Sequence, residues 1–450
     1  MNTAPLLAPG PPGHRLLGHL PEFRRDVLGF MLASAARHGD VVRFRLGPQV
    51  VHLLNHPDYV RHVLQSQQQN YDKQTRSAAF IKSVTGDSLL TSNGEFWQRQ
   101  RRLAQPAFHR HHLAGYARQM TRATADLLQT WQRRTPPEAP LDMAREMMRL
   151  TYTIVGRTLF STEVGADADT LERAMAVILP HTFGRLGNIF NWPDWVPTPA
   201  NRRFQRALAS VNEVVYRIIA EHRQSNDPDG PDRDLLATLL RVRDGETGAG
   251  FTDEQLRNET ITFLLAGHET TANALTWTLY LLAQHPVIAA RLQAEVRSAL
   301  GDRVPAMEDL PRLGFVKQVV QESMRLYPPI WIIERRAVAG DVIGGFGIPA
   351  RSAVVVSPFA LHRHPQFWES PDRFDPERFA GTSPVPAAYL PFGAGPRFCI
   401  GSEFAMLEAQ LILAMLVRSF EFRMVPGQRI EPLPGITLRA RHGLWMTLHS

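Results

Sequence analysis

The clearest signal in the hydrophobic pattern is a long helix over residues 253–284. Thr252 precedes the run and Gln255 follows three residues later, which is the arrangement of a capping box, and no proline interrupts the run until Pro286. At 1.5 Å per residue the helix would be about 48 Å long, enough to cross a whole domain. Positions 261–274 are apolar on nearly every side, which predicts a helix buried in the centre of the protein.

The remaining pattern predicts a mainly α-helical fold with small peripheral β-sheets. Helical spacing of apolar residues recurs from about 58 to 223, where glycines and prolines divide it into separate helices. Another helix is expected over about 311–327, and a last one just after Cys399. Alternating apolar positions indicate strands at three places: 41–54, 344–358 and 436–448.

The composition is that of one large folded protein. Of the 450 residues, 44% are hydrophobic and 21% are charged, which excludes extended disorder. There is no internal repeat and no domain linker, so residues 1–450 are expected to form a single domain with a proline-rich lead-in over 1–20. The prolines of that lead-in leave no apolar run of the roughly 20 residues that a membrane crossing needs. We therefore expect a cytoplasmic protein without a membrane anchor.

The charge balance bears on possible partners. The chain has 50 Lys+Arg against 43 Asp+Glu, a formal net charge of +7, and only three of the basic residues are lysines. The arginine pairs are scattered among acids without a nucleic-acid-binding motif around them, so nucleic-acid binding is not expected. A basic patch would suit an acidic protein partner.

The single cysteine, Cys399, carries the most specific signal. One cysteine excludes internal disulfides and zinc or iron–sulfur sites built from several thiolates, so the sulfur acts alone if it acts at all. It lies in the segment 392–401, Phe-Gly-Ala-Gly-Pro-Arg-Phe-Cys-Ile-Gly, directly before an apolar helical run. Amides near the helix start, the helix dipole and Arg397 would favour the thiolate. The ordinary alternative is a buried cysteine that serves as a small apolar group.

The segment resembles the haem-binding signature F-x-x-G-x-R-x-C-x-G of the cytochrome P450 (haem-thiolate monooxygenase) family. That resemblance implies haem b as cofactor, with Cys399 as the axial thiolate ligand of its iron. It also implies that Phe392 shields the sulfur, that Arg397 pairs with a haem propionate, and that Gly393 and Gly401 belong to the cofactor site. The family fold would place the haem between the long central helix and the helix that follows Cys399.

A second match lies on the long helix, where Ala266-Gly267-His268-Glu269-Thr270-Thr271 resembles the family's A-G-x-[D/E]-T-[T/S]. Ala266 and Gly267 would leave room for the cofactor, because a glycine inside a helix costs about 1 kcal/mol and needs a use. Glu269 and Thr270 would be the catalytic pair that handles protons during dioxygen activation. The zinc motif H-E-x-x-H is absent, since Ala272 stands where its second histidine is required.

Two further motifs support the resemblance. Glu322 and Arg325 match the family's E-x-x-R and, with Arg378 of a Pro-Glu-Arg-Phe segment, would form a structural triad beneath the haem. Trp97 and Arg101 resemble the family's W-x-x-x-R pair, which reaches the haem propionates. The family also places an arginine at the propionates at the position of Arg335, and the adjacent Arg336 is the alternative for that role.

The family's substrate-recognition regions correspond to apolar positions that a core would also contain. They are Phe80, Ile81, Leu89, Leu90, Phe183, Phe263, Ala266, Ile330, Trp331, Ile332 and Ile436. We expect a small hydrophobic substrate of the lipid, terpenoid or macrolide-like kind, oxidised by O2 through hydroxylation or epoxidation.

The resemblance also implies partners. Only about fifty residues follow Cys399, so no fused reductase is expected; electrons would come from a ferredoxin or flavodoxin with an NAD(P)H-dependent reductase, and the protein would be a monomer. Two rival functions are a peroxide-driven haem-thiolate peroxygenase and a non-enzymatic haem sensor. Neither has a need for the Glu269–Thr270 pair.

Overall fold

Most of the chain is α-helical, as the pattern predicts. The computed structural model describes residues 5–136, 138–160, 166–186, 192–224, 234–381 and 387–449. The helices are α1 (Leu20–Arg25), α2 (Val27–His38), α3 (Pro57–Arg61), α4 (Arg76–Thr85), α5 (Gly94–Ala104), α6 (Arg110–Gln132), α7 (Met143–Phe160), α8 (Ala166–Leu186), α9 (Pro199–Gln224), α10 (Leu235–Arg241), α11 (Asp253–Gln284), α12 (Pro286–Leu300), α13 (Gly314–Leu326), α14 (Pro358–Leu361) and α15 (Ser402–Ser419). In these described ranges, no helix is long and apolar enough to cross a membrane.

The strands form small sheets at the periphery. They are β1 (Val41–Leu46), β2 (Gln49–Leu54), β3 (Tyr71–Asp72), β4 (Leu141–Asp142), β5 (Ile333–Ala337), β6 (Asp341–Ile343), β7 (Phe346–Ile348), β8 (Ala353–Val356), β9 (Glu421–Met424), β10 (Pro432–Pro434), β11 (Leu438–Ala440) and β12 (Trp445–His449). The largest sheet has the order β1-β2-β8-β5-β3, and β12 lies between β4 and β9 in another. The pairs β6–β7 and β10–β11 are two-stranded hairpins. The predicted strand at 436 begins at Leu438, because Ile436 lies in the turn between β10 and β11.

Helix α11 spans the predicted residues and forms the axis of the fold. Its capping box is present: the Thr252 hydroxyl accepts from the Gln255 amide at 3.2 Å, and the Gln255 side chain accepts from the Thr252 amide at 3.1 Å. Helices α7, α9, α13 and α15 pack around it, which explains why its middle is apolar on all sides. One hydrophobic core covers its second half and another its first half, so α11 joins the two.

Helix α13 begins later than the sequence predicts. Pro311 lies in a 3₁₀ turn over Met307–Arg312, and the α-helix starts at Gly314. The carboxylate of Glu295, on α12, accepts from the amides of Phe315 and Val316 at 2.8 and 3.0 Å. These are free donors in the first turn of any helix, so a carboxylate that binds them fixes where the helix begins.

Candidate active site

A cavity of about 1400 Å³ lies between the middle of α11 and the segment that leads into α15. Thr270, Ala266 and Gly267 line it from α11, and Cys399 lines it from the opposite segment. The loop before α15 packs closely beneath: Gly395 has a φ of +71°, and a Cβ there would lie 1.9 Å from the carbonyl oxygen of Leu64. Glycine is therefore required at this position for the loop to adopt its path.

Cys399 is exposed to the cavity, although protein atoms surround it on its other sides. Its amide donates to the carbonyl of Phe392 at 3.0 Å, which fixes the loop. Burial raises the pKa of the thiol, while a hydrogen bond from the Gly401 amide and the charge of Arg101 lower it, and burial prevails. A metal ion on the sulfur would supply the missing positive charge. The expectation that Arg397 supports the thiolate is not met, because its guanidinium lies against Trp97 and donates to Ser92 O instead.

Arg397 belongs to a group of cations at one wall of the cavity. Its guanidinium carbon lies 4.3 Å from the ring centre of Trp97, and its Nη2 donates to Ser92 O at 3.0 Å. Its Nη1 is buried without a hydrogen-bond partner among the described residues. Burial, then repulsion from Arg335, lowers the pKa of Arg397 to about 10. Such a buried, unsatisfied cation indicates that an anion binds here.

Arg335 and Lys73 complete this group, which we call the cation cluster (Lys73, Arg335 and Arg397). Arg335 is 8% exposed and donates to the carbonyl of Glu334 at 2.9 Å; burial lowers its pKa to about 10. Lys73 donates to the carbonyl of Leu90 at 2.8 Å, and burial, with Arg335 and Arg397, holds its pKa well below the usual value. Among the described residues, the side chains of all three donate hydrogen bonds to neutral oxygens. A cofactor with two carboxylates, such as the propionates of haem, fits the cluster.

The structure separates the remaining arginines of the predicted cofactor site. Arg336 binds Asp72 with its Nε and Nη2 at 3.1 and 2.6 Å, so Arg335 is the one of the pair that lines the cavity. Arg101 lines it too, but donates to the carbonyl of Phe398 at 2.7 Å, on the cysteine side.

Lys73 was missed by the sequence analysis. The one signal that could have found it is its rarity, since it is one of three lysines in a chain that otherwise uses arginine. It directly follows strand β3, which pairs with β5, the strand that carries Arg335. That long-range pairing is what brings the two cations together.

On α11, the residues of the predicted catalytic motif point in different directions. Thr270 and Ala266 line the cavity, and the Thr270 hydroxyl donates to the Ala266 carbonyl at 2.7 Å. A Cβ on Gly267 would lie 3.1 Å from Cγ2 of Val155, so this glycine also serves the close packing of α11 on α7. Glu269 is 2% exposed and is not among the described residues that line the cavity.

The three predicted structural residues lie together. Arg325 donates to both carboxylate oxygens of Glu322, at 2.7 and 2.8 Å, and both side chains are fully buried. Its guanidinium also donates to the carbonyls of His362, Pro371 and Arg373. Arg378 Nε lies 3.4 Å from Glu322 Oε1, and the Asp375 amide donates to the same oxygen at 2.9 Å. The group thus ties α13 to the coil before the cysteine.

Most predicted substrate residues line the cavity. Those that do are Ile81, Leu89, Leu90, Phe263, Ala266, Ile330, Trp331, Ile332 and Ile436. Phe80 is not among the described residues of the lining; its ring lies beneath the guanidinium groups of Arg76 and Arg185, at 5.8 and 5.4 Å. Phe80 and its neighbour Ile81 differ because successive helical residues project about 100° apart. The side chain of Phe183 lies outside the described residues.

Sequence reasoning also missed two buried carboxyl groups. Glu408, on α15 beside Thr271, is fully buried, and burial raises its pKa to about 8. Glu259, on α11, accepts from the amide of Leu89 at 2.8 Å, and burial likewise raises its pKa to about 8. No motif marks either residue; each looks like a polar position on an otherwise apolar helix.

A single sulfur faces a cavity with apolar walls, and buried cations lie at the edge of that cavity. This arrangement suits a flat apolar group with two carboxylates, which is what the class of haem-thiolate proteins binds. The comparisons agree. The model of the family described as Cytochrome P450 matches residues 8–442. The chain therefore belongs to the cytochrome P450 family, and it is an oxidoreductase of the monooxygenase type.

Several named bacterial proteins are similar along nearly the whole chain. Cyclooctatin synthase of Streptomyces melanosporofaciens is 38% identical over 438 residues, 96% of this chain and 93% of that protein. Cyclooctat-9-en-7-ol 5-monooxygenase of the same organism is 39% identical over 420 residues, 92% of this chain and 88% of that protein. Pentalenene oxygenase of Streptomyces avermitilis is 33% identical over 431 residues, 93% of this chain and 92% of that protein.

Proposed function

We propose that this chain is a single-domain monooxygenase that inserts one oxygen atom from O2 into a cyclic apolar substrate of the terpenoid class, by hydroxylation or epoxidation. Electrons would come from a separate ferredoxin or flavodoxin. The observation that carries the proposal is the cavity, which joins Cys399 and the cation cluster to a lining of apolar side chains. The relatives named for cyclooctat-9-en-7-ol and pentalenene favour a cyclic skeleton over a linear one.

The residues have the following proposed roles. A haem held through Cys399 would supply the redox chemistry with dioxygen. The cation cluster would bind the two propionates, and the Glu322 triad would hold the coil beneath. Apolar side chains such as Phe263 and Trp331 would orient the substrate and exclude water. Thr270, whose hydroxyl lies at the cavity wall, and Glu269 behind it would hold and move protons.

The haem-thiolate assignment is tested by the absorption spectrum of the reduced protein with carbon monoxide. We expect the red-shifted Soret band of a thiolate ligand, and its loss in Cys399→Ser. A wild-type spectrum without that band, or a variant that keeps it, would overturn the assignment.

The substrate class is tested by spectral titration of the ferric protein with terpenes, steroids and fatty acids. Terpenes with fused rings should displace water from the site and shift the Soret band, because the lining offers apolar contact and few polar anchors. A response confined to fatty acids would contradict the cyclic substrate. In Thr270→Ala, product formed per electron pair should fall; unchanged coupling would favour the peroxygenase or sensor function instead.

A further inference from the structure

The C-terminal hairpin β10–β11 reaches the buried carboxylate of Glu269. The Thr437 hydroxyl donates to Oε1 of Glu269, and Arg439 Nε donates to the same oxygen at 2.5 Å. Asn273, one helical turn beyond Glu269 on α11, donates to the Thr437 hydroxyl oxygen at 2.9 Å. The carboxylate thus accepts two charge-assisted hydrogen bonds from one hairpin, and such bonds are stronger than neutral ones.

The position of Arg439 makes it the polar link between Glu269 and solvent. Glu269 and Thr437 are each 2% exposed, whereas the side chain of Arg439 is 34% exposed. Among the described residues, the titratable side chain of His268 lies close enough to interact with the charges of both Glu269 and Arg439, and burial keeps the pKa of His268 low. An arginine cannot give up its proton in a protein, so Arg439 holds the carboxylate in place and does not itself relay protons.

The same hairpin also borders the cavity. Its turn residues Gly435 and Ile436 are part of the lining. The turn is fixed from two sides: the indole of Trp331 donates to Gly435 O at 2.9 Å, and the indole of Trp277 donates to Leu438 O at 2.9 Å. Ile436, a cavity residue, is therefore the direct chain neighbour of Thr437, which binds Glu269.

Glu269 and Thr270 belong to separate hydrogen-bond networks. The Thr270 hydroxyl donates to the Ala266 carbonyl on the cavity side of α11, and Glu269 is bound on the hairpin side. Adjacent helical residues project about 100° apart, and in this arrangement the two side chains face different sides of α11. Whatever holds Glu269 on the hairpin side therefore controls its access to Thr270.

We propose that Arg439 and Thr437 are positioning residues for Glu269: they hold its carboxylate on the C-terminal hairpin, so that proton supply to the cavity depends on the element that also contacts the substrate through Ile436. This inference rests on the proposed function, in which Glu269 handles protons. It places neither Arg439 nor Thr437 in contact with the reacting atoms.

The test compares Arg439→Gln and Arg439→Lys with the wild type in the haem-loaded protein. Arg423→Gln is the control, because Arg423 also binds a carboxylate, that of Glu421, but both of these side chains are exposed. The first readout is the crystal structure, which shows the rotamer of Glu269 whether or not the enzyme turns over. The second is product formed per electron pair, measured in H2O and D2O with substrate at saturation.

In Arg439→Gln the carboxylate of Glu269 should leave the hairpin. Product formed per electron pair should then fall about tenfold and its solvent isotope effect should change, since a positioned acid or base contributes roughly 10²- to 10⁴-fold. Arg439→Lys should restore much of the carboxylate position and of the product yield, and Arg423→Gln should resemble the wild type. The spectral dissociation constant of the substrate should stay within about twofold, since Arg439 does not bind it. Thr437→Val, which removes one hydrogen bond at constant size, should give a smaller change in the same direction.

Two results would overturn the inference. One is a Glu269 carboxylate that stays in place in both Arg439→Gln and Thr437→Val. The other is a carboxylate that moves while coupling and the isotope effect remain those of the wild type. If Arg439→Gln does not fold, Thr437→Val decides alone by the same readouts. Failure of the proposed function would look different, because the wild type itself would then form no product from O2 and electrons.

Discussion

At the scale of single residues, the cation cluster has the clearest energetic consequence. Lys73, Arg335 and Arg397 repel one another inside the protein, and burial opposes the charged form of each. A buried charge without a hydrogen-bonded counter-charge is unfavourable by several kcal/mol, and the nearby charges of Glu334 and Asp72 offset only part of the effect of burial on Arg335 and Arg397. Bound carboxylates would turn the same three charges into a stabilising feature.

Lys73→Met should therefore weaken haem binding. Loss of one partner from a buried charge pair costs about 2–5 kcal/mol, and each 1.4 kcal/mol is a factor of ten in affinity. The rate of haem transfer to an excess of a haem-free globin measures the effect. Lys82→Met is the matched control, because Lys82 is half exposed and pairs with Asp87 at the surface. Equal transfer rates for the two variants would contradict a role for Lys73 in holding the propionates.

The Glu322–Arg325 pair should be important for stability, in contrast to a surface pair with the same spacing. Arg325→Ala leaves a fully buried carboxylate without its main partner, which costs about 3–5 kcal/mol. Arg61→Ala removes an exposed i,i+3 pair with Asp58 and should cost about 0–1 kcal/mol. Urea unfolding followed by circular dichroism measures both. A similar, small loss of unfolding free energy in the two variants would show that the buried pair stabilises the protein no more than the exposed pair does.

Candidate site residues could be found from the sequence wherever they lie in a short motif. Cys399, Thr270 and the Glu322–Arg325 spacing are local patterns; in the structure the first two line the cavity and the last two form a buried ion pair. The partners that come from distant segments were not predictable. Lys73 reaches the cluster through the pairing of β3 with β5, and Arg439 reaches Glu269 across 170 positions of the chain. No local spacing encodes such contacts.

At the scale of secondary-structure elements, the contact between α11 and α7 depends on a missing side chain. Gly267→Ala would place a methyl group 3.1 Å from Val155, which is tighter than most contacts in a packed interior. The strain should cost about 1–3 kcal/mol and exceed the gain of about 1 kcal/mol in helix propensity.

The sign should reverse when Val155 is shortened. In a Val155→Ala background, Gly267→Ala should stabilise the protein by about 1 kcal/mol, because the propensity gain remains and the clash does not. Urea unfolding of the two single variants and the double variant measures this coupling. If Gly267→Ala has the same effect in both backgrounds, the packing explanation fails.

The interface of α15 with α11 should make stability depend on pH through Glu408. Burial raises the pKa of this carboxyl to about 8, whereas an unfolded glutamate titrates near 4.3. Between these values the folded state holds a proton that the unfolded state has lost, so the free energy of unfolding falls as pH rises, by up to roughly 1.4 kcal/mol per pH unit. The stabilisation is present below about pH 4 and is lost as the pH approaches 8.

Glu408→Gln should remove that slope, because glutamine mimics the neutral acid and does not titrate. Urea unfolding at pH 5, 6, 7 and 8 compares it with the wild type. Glu403→Gln, an exposed position of the same helix, should leave the slope unchanged. Parallel pH profiles for Glu408→Gln and the wild type would contradict a protonated buried Glu408.

The elements themselves were predicted unevenly. The bounds of α11 followed from its capping box and from the absence of proline, which are both local signals. The start of α13 did not, because a carboxylate from the preceding helix, Glu295, determines it. The strand expected at 436 proved to be a turn followed by β11, since the position of the turn is fixed by pairing with β10.

At the scale of the whole molecule, the distribution of charge bears on electron delivery. Arg101 lies beside the Cys399 loop, and Phe398, next to the cysteine, is 41% exposed. Arg110 is exposed, and it lies two residues after Phe108 in the chain. The ring of Phe108 is close to the cysteine loop, because a Cβ added to Gly401 would lie 3.7 Å from it. Arg101 and the exposed Arg110 therefore place positive charge on the cysteine side of the cavity, which suits an acidic electron carrier.

This proposal predicts a specific dependence on salt. The second-order rate of reduction by an acidic ferredoxin should fall as ionic strength rises, because attraction between exposed charges is screened beyond about 10 Å at 0.1 M salt. Arg110→Glu should slow reduction about tenfold at low salt, and the difference should narrow as salt is added. Stopped-flow absorption of the haem under carbon monoxide follows the reduction directly.

A second charge reversal separates the local effect from that of net charge. Arg206→Glu, at an exposed position of α9, changes the net charge of +7 by the same two units as Arg110→Glu. Helix α9 packs against α8 and α11, away from the loop that carries the cysteine in sequence and in its contacts. If docking is local, the ferredoxin should reduce Arg206→Glu at nearly the wild-type rate. If both variants slow equally, the net charge alone attracts the carrier, and the surface beside Cys399 is not its docking site.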